Sequence, residues 1–243
     1  MICNLDEIFT HYNLYMMTNC VLVFDTETTN LIPKKGVRDL DELKTKYPYI
    51  VQFSFFLYNI DTHSVIEMFD EIIKIPENVE ISPKSEEIHG ISKEMCMTKG
   101  VSIVSALKKF SSFVDRSSII VAHNLEFDEN MVQVESLRNN IYSLHQRKPS
   151  TLYYCTMLNS IDVCNIEKVN RYGPYKKFPR LEELYYYYFK KKPKSLHDSK
   201  IDVYACVRCF FKLRFKYDIV DKNNELKNMY DSFHCDDITD SIS

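Results

Sequence analysis

Residues 19–30 read NCVLVFDTETTN, an apolar run from Val21 to Phe24 that passes straight into Asp25, Thr26, Glu27, Thr28 and Thr29. The β-branched and aromatic side chains of its first half suit a strand in a protein interior. Side chains two apart on a strand share a face, so Asp25 and Glu27 project together if the backbone stays extended through Thr26. Two neighbouring carboxylates repel and raise each other's pKa unless a cation lies between them, and Mg²⁺ is an ion that takes such hard oxygen ligands. Read alone, the same residues also fit a solvated strand end entering a Thr-rich turn.

The surrounding chain has the means to bury such a strand. Its 243 residues, 45% hydrophobic, suffice for one large domain, and only 4 Gly and 8 Pro argue against repeats or long linkers. A net charge of −3 excludes a strongly basic coat protein and leaves room for a local basic surface. The 8 cysteines are scattered and suit free thiols in a reducing compartment. Asp6 and Glu7 interrupt the start of the chain where a secretory signal needs positive charge and an apolar run. No segment reaches the roughly 18 to 20 apolar residues of a membrane helix. The expectation is an intracellular protein, cytoplasmic or nuclear, with no membrane partner.

Strand-like runs at 20–25, 49–59 and 64–73 are separated by turn residues and predict an antiparallel start. Residues 102–115 carry apolar side chains at helical spacing, and a strand at 118–122 leads into a helix over 125–139. A strand near 151–157 and helices over 180–190 and 198–217 complete the pattern, an α/β fold with a mixed sheet flanked by helices. The expected organisation is an N-terminal extension at 1–17, a domain at 18–217 and an acidic tail at 218–243, with room for one further helix.

Two further clusters complete a pattern with Asp25 and Glu27. In AHNLEFD, residues 122–128, a strand ends and a helix begins; Asn124 suits the N-cap, which places Asp128 about one turn in. In LHDSKID, residues 196–202, His197 and Asp202 would lie roughly 140° apart on one helix. They converge only if Asp198 caps the helix and leaves His197 outside it. Each cluster alone also fits a surface loop or a helix-start acid.

Together, the strand DxE, the HNxxFD junction and the late HxxxxD resemble the DEDDh branch of the DnaQ-like exonuclease superfamily, which includes proofreading subunits of DNA polymerases. Tyr49–Phe53 (YIVQF) and Ile88–Ser92 (IHGIS) resemble that family's second strand and its loop with a central Gly. The sibling branch with Tyr four residues before the last Asp is disfavoured, because that position is Asp198. The resemblance implies a ribonuclease H-like fold with a five-stranded mixed sheet. It also implies two Mg²⁺ or Mn²⁺ ions held by Asp25, Glu27, Asp128 and Asp202, with His197 as general base. The implied reaction releases nucleoside 5′-monophosphates from the 3′ end of DNA or RNA, with a polymerase or replication complex as a further partner. By the same analogy Thr28, Ile88, His89 and Asn124 contact the substrate.

Two other features bear on the same reading. Eight Lys and Arg residues between 171 and 194 precede His197 and suit a phosphate backbone, and Tyr185–Phe189 among them suits base stacking or core packing. Cys206 and Cys209 form a CxxC inside a helix with no second ligand pair, which favours core packing. A catalytically silent binding module on the same fold is the competing expectation, and a phosphotransferase or internally cutting nuclease a third. Richness in Lys, Asn, Ile and Tyr points to an A+T-rich genome of the kind some large DNA viruses carry.

Overall fold

The computed structural model describes residues 19–33, 39–144, 146–193 and 197–233; the N-terminal extension at 1–17 and the chain beyond 233 lie outside them. The main sheet comprises β1 (Cys20–Thr28), β2 (Ile50–Asn59), β3 (Ser64–Ile72), β4 (Ile119–Ala122) and β5 (Leu152–Cys155), in the order β3-β2-β1-β4-β5. The first three strands are antiparallel neighbours, and β4 runs parallel to both β1 and β5. β1 is therefore the middle strand. Its apolar half is buried on both faces, which explains why Cys20–Phe24 reads as a continuous apolar run rather than an alternation.

In chain order the helices among the described residues are α1 (Leu40–Lys46), α2 (Pro83–His89), α3 (Lys93–Lys99), α4 (Ile103–Asp115), α5 (Leu125–Arg138), α6 (Thr156–Asn159), α7 (Ile161–Cys164), α8 (Leu181–Phe189), α9 (Ser199–Phe215) and α10 (Asn224–Phe233). Val21 and Val23 pack with Leu184 of α8 and Val203 and Phe210 of α9. Leu22 and Phe24 point the other way, into a cluster with Phe53, Phe55, Phe110 of α4 and Met131 of α5. The period-2 alternation of β1 thus divides the core into two layers, and the polar end of the same strand inherits the same division. Cys206 and Cys209 are buried in the first layer, as core packing requires.

Two elements carry no pattern that sequence reading could use. α1 buries none of its residues and is held by its cap, the Asp39 carboxylate accepting from the Glu42 amide. A separate hairpin of β6 (Glu167–Asn170) and β7 (Gly173–Lys176) is exposed along most of its length.

The expected acidic tail differs from the structure at its start. Residues 218–233 fold back onto the core: Leu226 and Tyr230 are buried, while Asp221, Glu225 and Asp231 face outward. The acids dominate the composition, but Leu226, Met229 and Tyr230 recur at helical spacing and lie against the core. The Tyr230 hydroxyl donates to the Tyr204 carbonyl at 2.6 Å. Asp218 accepts from Arg208 of α9 at 3.0 and 2.8 Å, and that guanidinium also stacks over Phe189 at 3.9 Å. Among the described residues no helix is long and apolar enough to cross a membrane.

Removing one partner of a buried ion pair leaves the other unpaired, at a cost of about 3 to 5 kcal/mol. Arg208→Ala is expected to lower unfolding stability by that amount in urea titration, and a chain ending at Tyr217 to unfold at lower urea still. A truncated chain as stable as the intact one would show 218–233 to be a dispensable tail.

Candidate active site

β1 remains extended through Thr28, so Asp25 and Glu27 do share a face, the one towards α9, while Thr26 faces α5. The pairing with β2 shifts between Glu27 and Thr28, where Gln52 and Ile50 are the partners and Val51 is the extra residue of a bulge. The acids thus stand where the sheet's regular pairing is interrupted, at the C-terminal end of a strand with a parallel neighbour. Open α/β sheets form their crevices at such ends.

Asp128 enters from the other layer. It is fully buried, and its Oδ1 accepts from both the Thr26 amide at 3.0 Å and the Thr26 hydroxyl at 2.8 Å. Thr26 therefore orients one carboxylate oxygen and leaves the other for a ligand, a role that sequence reading missed. Asn124 does occupy the N-cap of α5 but does not cap it with its side chain: its backbone is left-handed (φ 66°), and the first-turn bond runs from the Phe127 amide to the Asn124 carbonyl. Asn tolerates that conformation better than most residues, and its side chain is left exposed at the cleft.

The start of α9 is tied to the sheet by a network that the sequence signalled through Gln52, one of two buried polar residues, with Ser54, in the apolar run of β2. Gln52 of β2 donates from Nε2 to Asp70 at 2.9 Å and Asp198 at 3.2 Å, and its Oε1 accepts from the Ser199 amide at 3.3 Å. The Ser199 hydroxyl donates to the Asp25 carbonyl at 2.9 Å. Asp198 caps the helix by accepting from the Lys200 amide, so His197 lies just outside it and Asp202 on its first turn, as the spacing predicted. His197 has a left-handed backbone (φ 77°), and its amide donates to Asp202 Oδ2 at 3.2 Å.

Ligand atoms of Glu27, His197 and Asp202 lie within 4.8 Å of one another, a spacing that can hold a metal ion. Asp202 Oδ1 is buried with no hydrogen-bond partner among the described residues, and such a buried lone oxygen is costly unless something binds it. Burial, with the charge of Asp198 behind it, raises Asp25 to about 7 against the opposing bond from Ser199. Burial also raises Glu27, to about 10, reinforced by Asp25, Asp202, Asp128 and Asp198. Asp128 and Asp202 are pushed well up by burial and by Asp25. All four shifts have the sign expected of acids clustered without a cation.

Two histidines brace the surroundings. The Ile91 amide donates to His89 Nδ1 at 3.0 Å, so Nε2 carries the proton and donates to the Thr28 carbonyl at 3.3 Å. His89 is the last residue of α2 rather than a loop residue, and Gly90 (φ 71°) turns the chain directly after it. The Thr28 hydroxyl is used by the Asn30 carbonyl, whereas Ile88 is 45% exposed. His123 donates from Nε2 to the Pro179 carbonyl at 3.1 Å and accepts at Nδ1 from Thr156 at 3.0 Å; burial pushes its pKa down to about 4 and keeps it neutral. It thereby fixes Pro179 against the end of β4, forming one wall of a cleft of about 410 Å³ that contains all five expected residues, Asp25, Glu27, Asp128, His197 and Asp202. Of the basic run, Lys176, Lys177, Arg180 and Lys192 pair with acids, and Lys194 lies outside the described residues.

Acids with raised pKa values bind more protons in the folded state, so they stabilise the metal-free protein below their ordinary range and cease to do so as pH rises through the folded values. Thermal melting in EDTA is expected to fall between about pH 4 and 7 as Asp25 ionises, and further as Glu27 follows towards about 10. Mn²⁺ should restore the lost stability, by more at higher pH, and Glu27→Gln should flatten the decline. A metal-free melting temperature that rises over this window would contradict the electrostatics described.

Residues 22–210 match the RNase T exonuclease family. A stretch of 154 residues is 29% identical to a PolC-type DNA polymerase III of Mycoplasmopsis pulmonis (strain UAB CTIP), covering 55% of this chain and 11% of that polymerase. Among solved structures, E. coli exonuclease I in complex with a dT13 oligonucleotide superposes with a TM-score of 0.61 at 19% identity, over 87% of this chain and 46% of that one. Exonuclease I from Methylocaldum szegediense gives 0.59 at 18% identity, over 87% and 42%. The chain thus spans less than half the length of these structures, and at such identities the likeness is one of fold. The family match runs from within β1 to within α9 and takes in every element that brings an acid into the cleft; the chain belongs to the RNase T exonuclease family.

Proposed function

We propose that the protein is a metal-dependent 3′-to-5′ exonuclease that hydrolyses the terminal phosphodiester of DNA or RNA and releases nucleoside 5′-monophosphates. The observation that carries this reading is Asp202 beside Glu27 and His197 at metal-ligand spacing, with its buried Oδ1 unpartnered among the described residues. That atom and the mutual repulsion of four raised carboxylates fit a divalent pair, Mg²⁺ or Mn²⁺, held by Asp25, Glu27, Asp128 and Asp202. They also count against a silent binding module, which has no use for so unfavourable a cluster. Bound there, such ions would supply a nucleophile at neutral pH and charge stabilisation of the attacked phosphate and the leaving oxygen.

The chain's own residues supply the rest. Asp128, held by Thr26, and Asp202, held by the His197 amide, set the carboxylates before substrate arrives, which removes reorganisation from the reaction itself. His197, exposed at the rim, takes a proton from the attacking water as the new P–O bond forms and the bond to the 3′ oxygen breaks. The departing 3′ oxygen regains a proton from solvent. Ile88 and Asn124 pack against the terminal nucleotide, while His89 and Thr28, bonded to each other, shape the floor beneath it. The likeness to part of a PolC-type polymerase supports a replication setting.

A strand labelled at its 5′ end should shorten one nucleotide at a time with Mg²⁺ or Mn²⁺, while a blocked 3′ end protects it; running DNA and RNA side by side identifies the sugar. Asp25→Ala and Asp202→Ala are expected to reduce kcat about 10³-fold or more with folding intact, given several kcal/mol of lost charge stabilisation. His197→Ala is expected to lose roughly 10² to 10⁴. An Asp25→Ala variant with wild-type turnover would place the chemistry elsewhere.

A further inference from the structure

Beyond the cleft, α8 presents a second surface that the proposed chemistry does not use. Tyr185 of this helix is buried in the core, but its neighbours Tyr186 and Tyr187 are 49% and 42% exposed. The Lys190 ammonium, just past the helix end, lies 5.6 Å from one ring centroid and 5.5 Å from the other. These residues line a groove of about 480 Å³ whose wall includes Arg180 and Glu182. Both of those also line the acidic cleft, so the groove continues it.

The charges fit an anionic polymer. Glu182 is paired with Lys192 at 2.8 Å and Arg180 at 3.7 Å, and Glu183 with Lys177 at 2.5 Å. Lys190 has no carboxylate partner among the described residues. Exposed aromatic rings next to a cation suit a single strand, whose bases stack on rings while its phosphates meet ammonium groups. A duplex keeps its base faces to itself. We propose that this groove binds single-stranded nucleic acid on the 5′ side of the nucleotide being removed, with Tyr186 and Tyr187 as stacking platforms and Lys190 as a phosphate contact. The proposal rests on the exonuclease reading for the position of the 3′ end.

The test is fluorescence anisotropy of the full chain in EDTA, so that hydrolysis does not intervene, with a labelled oligothymidylate, a labelled dinucleotide and a blunt duplex. The Tyr186→Ala/Tyr187→Ala double variant should bind the long strand about tenfold or more weakly and the dinucleotide as wild type does, and Tyr186→Phe/Tyr187→Phe should retain binding. Lys190→Gln should reduce the slope of log affinity against log salt by about 0.7. Equal binding of the long strand by the Ala variant, equal loss on the dinucleotide, loss of binding in the Phe variant, or a like effect on the duplex would each overturn the proposal. Failure of the two readings is separable. Binding that depends on these tyrosines without release of mononucleotides in Mn²⁺ would sink the exonuclease reading and keep the groove. Cleavage of long strands by the Ala variant at the wild-type rate and affinity would do the reverse.

Discussion

Four carboxylates that converge in one partly buried cleft set the terms for the rest of the molecule. Each prefers to be neutral there, and together they push one another's pKa values upward. A fold that only needed stability would replace them with apolar groups of similar shape. This one holds them instead: Thr26 fixes Asp128, the His197 amide fixes Asp202, and β1 carries Asp25 and Glu27 on one face. A cation placed among them would relieve that repulsion.

The holding depends on β1. One strand carries Val21 and Val23 into one core layer and Leu22 and Phe24 into the other, so its position is fixed from both sides. The same alternation continues into its polar end. Asp25 meets α9 through Ser199, and Thr26 meets α5 through Asp128. Two helices far apart in sequence are therefore registered against a single extended segment of backbone. Gln52 adds a second fixing point for α9 from the adjacent strand. An error in either packing layer would appear as a displaced carboxylate.

How much of this was legible depended on whether a residue's role follows a local period. Asp25 and Glu27 could be placed together because strand periodicity is strict, and His197 could be set outside α9 because helical geometry left no other way for it to meet Asp202. Asp128 was placed only approximately, because its burial depends on Thr26 across a long sequence separation. Asn124 holds the N-cap position that the sequence suggested, but its left-handed backbone keeps the side chain from capping the helix. Gln52 was the overlooked signal, since a polar side chain in an otherwise buried strand requires partners. Room for a further helix after 218 was legible, but its docking on the core was obscured by the acids, although Leu226 and Tyr230 carried the spacing that packs it. The hairpin at 167–176 buries too little to leave a pattern at all.

Asp25, Glu27, Asp128 and Asp202 are proposed as a cradle for divalent cations. Crystals of the protein soaked in Mn²⁺ and measured at the manganese absorption edge test it without reference to turnover. Anomalous peaks are expected within coordination distance of these carboxylates, with Asp202 Oδ1 among the ligands. Anomalous density absent from this cleft at saturating Mn²⁺, or confined to sites elsewhere on the surface, would contradict it.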